Sequence, residues 1–289
     1  MKTTITYKSN NHFEIKADFY QTNRKNAPVI VYIHGGGLLW GTRGEIDENM
    51  IKLYTDNGFA LFSIDYRLAP ETKVVDILED IKDALQWIEL EGPKQFGIDA
   101  ERIAVIGSSA GGYLALNTGT FEKRPRAIVS FYGYGDISAS WATTPNKYYC
   151  EKARVSKQIA NSLITNKIIT EATVHERFLL YLYARQTGEW IQEVTGMNPS
   201  TDEEKLRSVS PIYNISEQYP PTLLLHGTSD VDVPYEQSTF MCEALKEEGI
   251  EAKLITIPNG EHVFEKDFYH PNVQGALMQV IDFLKTHLA

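Results

Sequence analysis

Short apolar runs alternate along this chain with longer segments whose apolar positions recur every three or four residues. The runs are VIVYI at 29–33, ALFSI at 60–64, IAVI at 103–106, AIVSFY at 127–132, TLLL at 222–225 and AKLITI at 252–257. Near-continuous apolarity over that length is expected of parallel strands, which are buried on both faces because helices cover the sheet above and below. Residues 3–8 and 13–20 read differently: they predict an opening antiparallel pair turned at Ser9, Asn10 and Asn11. The clearest helix is predicted over 72–91, where Val74, Ile77, Leu78, Ile81, Leu85 and Ile88 form one stripe. Two more, around 240–245 and 276–284, follow the late strands. Strands and helices in alternation predict an α/β fold: a mostly parallel central sheet flanked by helices.

One region interrupts the alternation. From about 141 to 210 the period is helical, aromatics and charges are dense, and no strand is evident. It predicts an inserted helical cap. Val174, Phe178 and Leu182 are spaced by four, and Tyr181, Tyr183, Arg185 and Trp190 supply bulk beside them. Each of these side chains serves first to pack the cap, yet together they must wall something. No repeat, low-complexity tract or Gly/Ser linker marks a second domain, so residues 1–289 are expected to form one domain carrying the cap.

Composition narrows the classes of function. A chain of 289 residues with 43% hydrophobic content has enough apolar material for a large core. No apolar run approaches the roughly 18 residues of a membrane span, and MKTTITYKSNNHFE has no apolar signal stretch, so a cytoplasmic location is expected. The formal net charge of -10 disfavours nucleic acid, whose binding depends on clustered Lys and Arg. Cys150 and Cys242 are isolated and read as ordinary buried thiols. No histidine spacing of a metal site occurs, and no metal or cofactor is expected. A homodimer through an edge strand or the last helix is compatible with the chain, though no pattern demands one.

The candidate chemistry begins at AVIGSSAGGY, 104–113, where two serines stand between glycines at the end of an apolar run. In a G-x-S-x-G elbow a strand turns sharply into a helix, and the residues two before and two after the serine must be small. Ser109 has Gly107 and Gly111 at those positions, whereas Ser108 has Ile106 and Ala110. Ser109 is therefore the candidate nucleophile. A helix starting behind it would aim the positive end of its dipole at the serine oxygen.

A serine hydroxyl needs a base, and the base needs an orienting carboxylate. On this kind of sheet they are expected in the order serine, acid, histidine, on loops after late strands. After TLLL comes HGTSDVDVP, with Asp230 and Asp232 as rival carboxylates; after AKLITI comes PNGEHVF, with His262. Asp232 otherwise reads as a helix N-terminal residue or a solvated loop charge, Glu261 as a surface charge, and His226 as structural. His12, His175, His270 and His287 read as exposed. The oxyanion of an acyl transfer also needs donors. VIVYIHGGGLLWG runs from a strand into His34, Gly35, Gly36 and Gly37, where absent side chains let backbone N–H groups approach a ligand, and the N–H of Ala110, next after the serine, is the second source.

Taken together, HGGG at 34–37, DYRLAPE at 65–71, GSSAGG at 107–112, HGTSDVDVP and GEHVF resemble the α/β-hydrolase superfamily, and HGGG with DYRLAPE resembles its hormone-sensitive-lipase-like carboxylesterases. The resemblance covers nearly the whole chain outside the cap. It implies Ser109 as nucleophile, His262 as base, Asp230 as its orienter, and an oxyanion hole from the N–H groups of Gly36, Gly37 and Ala110. It also implies that Asp65, Arg67 and Glu71 tie down a loop beside the site. Two features depart from that group: Ser108 stands where an acidic residue is common, and the cap follows AIVSFYGYG instead of opening the chain. They leave room for related carboxylesterases and for acylaminoacyl-peptidase-like or formamidase-like members. The expected function is hydrolysis of a small carboxylic ester through an acyl-enzyme; an amidase, formamidase or peptidase would use the same residues, and a non-catalytic binding protein on this fold is the remaining alternative.

Overall fold

The computed structural model describes residues 2–289. Eight strands, β1 (Lys2–Ser9), β2 (Glu14–Tyr20), β3 (Val29–Ile33), β4 (Ala60–Ile64), β5 (Ile103–Ser108), β6 (Ala127–Phe131), β7 (Thr222–Gly227) and β8 (Ala252–Ile257), form one sheet in the order β1-β2-β4-β3-β5-β6-β7-β8. The first two pairings, β1 with β2 and β2 with β4, are antiparallel, and the other five are parallel. The helices are α1 (Glu48–Asp56), α2 (Val74–Phe96), α3 (Ala110–Thr118), α4 (Ser140–Thr143), α5 (Lys147–Cys150), α6 (Lys157–Ser162), α7 (Val174–Thr187), α8 (Trp190–Thr195), α9 (Glu203–Ser208), α10 (Glu236–Glu247) and α11 (Pro271–His287). None is long and apolar enough to cross a membrane.

The central strands β3 to β7 are buried on both faces, between one apolar cluster that includes α2 and α3 and another that includes α1 and α11. At the edge the expectation of two-sided burial fails: in β8, Lys253 and Thr256 are exposed and only Ile255 and Ile257 are buried. An outermost strand has a neighbour on one side only, and less of it is covered. Elsewhere pairing carries strands past their apolar runs. Ser108 pairs with Phe131, and His226 and Gly227 pair with Thr256 and Ile257, so β5 and β7 each reach two residues further than the sequence predicts. Helix α2 continues through Pro93 to end at Gly97, whose left-handed φ of 65° closes the last turn.

Between β6 and β7 lie α4 to α9, which occupy the segment expected to be helical. Of its residues spaced by four, Leu182 is buried, Phe178 half-buried and Val174 exposed. A capping box between Thr173 and Glu176 starts α7. Its second half, from Leu180 to Gln186, is buried all round, which is why its apolar period is weak. This segment is fastened to the sheet domain by specific bonds. Gly41 and Ala172 form an isolated antiparallel bridge, Trp190 Nε1 donates to the carbonyl of Gly37 at 3.0 Å, and buried Arg177 and Glu71 pair at 2.9 Å.

Candidate active site

Because β3, β5, β7 and β8 run parallel, their carboxyl ends open on one edge, and the loops leaving them meet there. Strand β5 turns into α3 at Ser109, whose φ of 55° and ψ of -119° lie in a region that L-residues rarely visit, at a cost of about 1–3 kcal/mol. The small flanking residues are obligatory. A Cβ on Gly107 would lie 2.0 Å from the carbonyl oxygen of Gly111, and one on Gly111 would lie 2.0 Å from that of Ile33. Ser109 N–H donates to the carbonyl of Phe131 at 2.9 Å, which locks the turn onto β6. Ser108 faces another way: its Oγ lies 3.0 Å from the Tyr32 hydroxyl.

His262 Nε2 stands 3.0 Å from Ser109 Oγ, and its Nδ1 stands 2.6 Å from Asp230 Oδ2. Asp230 is held by its own loop, since its Oδ1 accepts the N–H groups of Asp232 and Val233, both at 2.9 Å. Burial alone would push the Asp230 carboxyl up, but hydrogen bonds from His226 and His262 hold it below the usual carboxylate range. His226 is structural, as expected, but its partners are more than local backbone: Nδ1 lies 2.7 Å from Ser238 Oγ, and Nε2 lies 3.2 Å from Asp230 and 3.1 Å from the carbonyl of Val233. For His262, burial opposes the charged form. The bond to Asp230 and the charges of Asp232 and Glu265 outweigh it, and its pKa stands above the ordinary value.

Gly35, Gly36 and Gly37 line the cavity in front of Ser109. The glycine loop lies against the elbow so closely that a Cβ on Gly35 would come 3.2 Å from that of Ser109. Carbonyls in the loop are spent: that of Gly36 accepts from Leu39 and Trp40, and that of Gly37 from Trp190. Ala110 is the first residue of α3, so its N–H has no acceptor within the helix. His34 stacks on Tyr66 with centroids 4.3 Å apart, and burial pushes its pKa down to about 4, so it stays neutral.

The charged residues of DYRLAPE are anchors. Arg43 bonds Asp65 by both its backbone N–H and its guanidinium, Arg67 Nε lies 2.7 Å from Asp80, and Glu71 takes Arg177 and the N–H of Thr165. His12, His175 and His270 are exposed and Glu261 is a surface charge, as expected, whereas His287 is partly covered and lies 3.3 Å from Glu251. Cys242 is buried but Cys150 only partly so.

The sequence reading names Asp232 as the rival carboxylate and Val174 and Tyr181 as cap residues, and gives no role to Trp40, Tyr132, Val263 or Glu265. Asp232 is neither a helix N-terminal residue nor a free loop charge: it accepts the Tyr181 hydroxyl at 2.5 Å and lies 3.8 Å from His262 Nε2. Glu265 accepts the Tyr132 hydroxyl, and burial raises its pKa. Val263, next to the histidine, has a φ of 59°, unusual for a β-branched residue. Trp40, Val174 and Tyr181 face the same cavity, of about 360 Å³. A smaller chamber of about 240 Å³ shares Tyr32, Glu45, Ser108, Glu265 and Lys266 with it and ends on Ile46, Asp47, Met50 and Phe131. Asp232 and Val263 have a local cue, their closeness in the chain to Asp230 and His262; the others converge through tertiary packing.

Comparison with known proteins agrees with this architecture. The BD-FAE family model matches residues 17–245. The chain is 28% identical over 337 aligned positions to the non-reducing polyketide synthase Preu3 of Preussia isomera, a match covering 98% of this chain and 13% of that protein. The chain thus spans about a seventh of the length of the curated relatives it matches. Among solved structures, an alpha/beta hydrolase superfamily protein from Enterococcus faecalis is 26% identical with a TM-score of 0.79, each chain covered to 99%. An esterase from Pyrobaculum calidifontis is 24% identical with a TM-score of 0.73, covering 100% of this chain and 87% of that one.

Proposed function

The chain belongs to the BD-FAE family of α/β-hydrolase esterases, and on that premise we propose that it hydrolyses small carboxylic esters with Ser109 as nucleophile, His262 as base and Asp230 as orienter. The observation that carries this reading is the relay of 3.0 Å from Ser109 Oγ to His262 Nε2 and 2.6 Å from Nδ1 to Asp230, opening on a cavity lined by glycine backbone. His262 takes the hydroxyl proton as Ser109 Oγ attacks the ester carbonyl. Asp230, kept ionised, fixes the Nδ1–H tautomer and stabilises the imidazolium. The N–H groups of Gly36, Gly37 and Ala110 receive the negative charge that develops on the carbonyl oxygen. The imidazolium then protonates the leaving alcohol, and a water deprotonated by the same imidazole releases the acid from Ser109. The segment from α4 to α9 acts as a cap, with Tyr181 and Val174 facing the bound ester.

Turnover of a short-chain chromogenic ester by wild type, Ser109→Ala and Ser108→Ala tests the assignment. Ser109→Ala should lower kcat by about 10⁴-fold or more. Ser108→Ala should retain most of the activity. Equal losses in both variants, or a fully active Ser109→Ala, would overturn the reading.

A further inference from the structure

Asp232 is a carboxylate that the triad does not use. It sits two residues after Asp230 in the loop that follows β7, and it faces the other nitrogen of the same histidine: Asp230 holds Nδ1, while Asp232 Oδ2 lies 3.8 Å from Nε2. That separation is too long for a hydrogen bond. The Asp232 side chain is 15% exposed and lines the cavity. Its two oxygens differ in state. Oδ1 accepts the Tyr181 hydroxyl at 2.5 Å and lies 3.8 Å from the Arg185 guanidinium, and Tyr149 stands beside the carboxylate, whereas Oδ2 accepts no hydrogen bond within 3.5 Å among the described residues.

Its placement is enforced from two sides. The backbone N–H of Asp232 donates to Asp230 Oδ1 at 2.9 Å, and Arg185 donates to its backbone carbonyl at 2.9 Å. Arg185 is itself buried among the rings of Trp141, Tyr149, Tyr181 and Trp190, 5.2 to 5.9 Å from their centroids. A buried guanidinium in an aromatic cage has little freedom, so helix α7 holds the carboxylate in one position through Tyr181 and Arg185.

We propose that Asp232 reads the leaving group: its free oxygen accepts a hydrogen bond from a donor on the carbon adjacent to the one bearing the ester oxygen. The site then favours monoesters of 1,2-diols, and of their amino-alcohol counterparts, over esters of simple alcohols. The inference rests on the assignment of Ser109 and His262 given above. The geometry follows from the reaction. The leaving oxygen must come to roughly 3 Å from Nε2 to take its proton. A vicinal hydroxyl lies about one hydrogen-bond length from that oxygen, within reach of a carboxylate oxygen that is 3.8 Å from the same nitrogen. The donor's partner is a carboxylate oxygen, and hydrogen bonds to a charged acceptor are roughly twice as strong as neutral ones.

The test compares two butyrate esters matched in heavy-atom count, 2-hydroxyethyl butyrate and n-propyl butyrate, with p-nitrophenyl butyrate as a third substrate whose leaving group has no vicinal donor. Wild type should prefer the hydroxyethyl ester in kcat/KM by about tenfold or more. Asp232→Ala should bring that ratio to within about twofold of unity, while p-nitrophenyl butyrate turnover reports that the variant is folded and its serine competent. Asp232→Asn, which preserves volume and so guards against a folding defect, should lower the ratio at least about threefold, because the neutral amide is the weaker acceptor. A wild-type ratio near unity, or a ratio that survives in both variants, would overturn the proposal and leave the esterase reading intact. Absence of Ser109-dependent turnover of all three esters would overturn both.

Discussion

The two adjacent serines are told apart by space. Ser109 occupies a strained turn that only its glycine neighbours permit, and its hydroxyl meets His262; Ser108 belongs to β5 and meets Tyr32. Gly111→Ala should therefore leave little folded protein, because the new Cβ would sit 2.0 Å from the carbonyl oxygen of Ile33 and 2.5 Å from that of His34. Soluble yield and circular dichroism check this, and a folded variant with wild-type melting would contradict the elbow geometry. The histidine carries a second expectation. Burial disfavours its charge, but Asp230, Asp232 and Glu265 outweigh burial, and the Tyr132 ring packs 4.6 Å away, centroid to centroid. A base must be neutral to accept a proton, and a raised pKa means that neutrality is reached at higher pH. The acidic limb of kcat/KM should accordingly lie above the ordinary histidine value of about 6.5. Asp232→Asn removes one of the charges and should move that limb to lower pH; an unmoved limb would show that the carboxylate does not act on His262.

At the scale of elements, the helical segment between β6 and β7 is fixed by side chains drawn from distant sequence. The Arg177–Glu71 pair joins α7 to the loop after β4, with both side chains almost fully buried. Breaking such a pair from one side leaves a buried charge, at a cost of about 3–5 kcal/mol. Arg177→Met should lower the melting temperature by about 6 °C or more, read by calorimetry. A change below about 2 °C would mean that the pair contributes little to holding the segment. This scale also marks where the sequence stops being legible. Ser109, the glycine loop and the positions of the strands are local signals, since a turn or a buried strand needs particular residues at consecutive positions. His262 and the pair Asp230 and Asp232 follow from the loops that parallel strands must leave at one edge, and the family resemblance selects Asp230 of the two. Glu265, Tyr132 and Tyr181 carry no comparable local mark, and Asp232, which the sequence offers only as the rival of Asp230, is set apart from it when α7 brings Tyr181 onto its carboxylate.

For the molecule as a whole, the sheet edge and the α4–α9 segment enclose limited space. The cavity of about 360 Å³ at Ser109 continues into the adjoining chamber of about 240 Å³, which ends on Ile46, Asp47, Met50 and Phe131, and its size sets a limit on acyl length that a substitution can test. Met50→Trp fills the far chamber. It should lower kcat/KM for a hexanoyl ester by about tenfold while an acetyl ester falls far less, given the roughly 1–3 kcal/mol that each methylene contributes in an apolar pocket. An unchanged chain-length profile would remove the chamber from the substrate path. The central claim is narrower than these: one serine, of two neighbours, becomes acylated. The most direct test is intact-mass and peptide mapping of wild type, Ser109→Ala and Ser108→Ala after treatment with an organophosphate that phosphorylates activated serines. The account predicts one adduct, on Ser109, present in wild type and Ser108→Ala and absent from Ser109→Ala. An adduct on Ser108, or one that persists in Ser109→Ala, would contradict it.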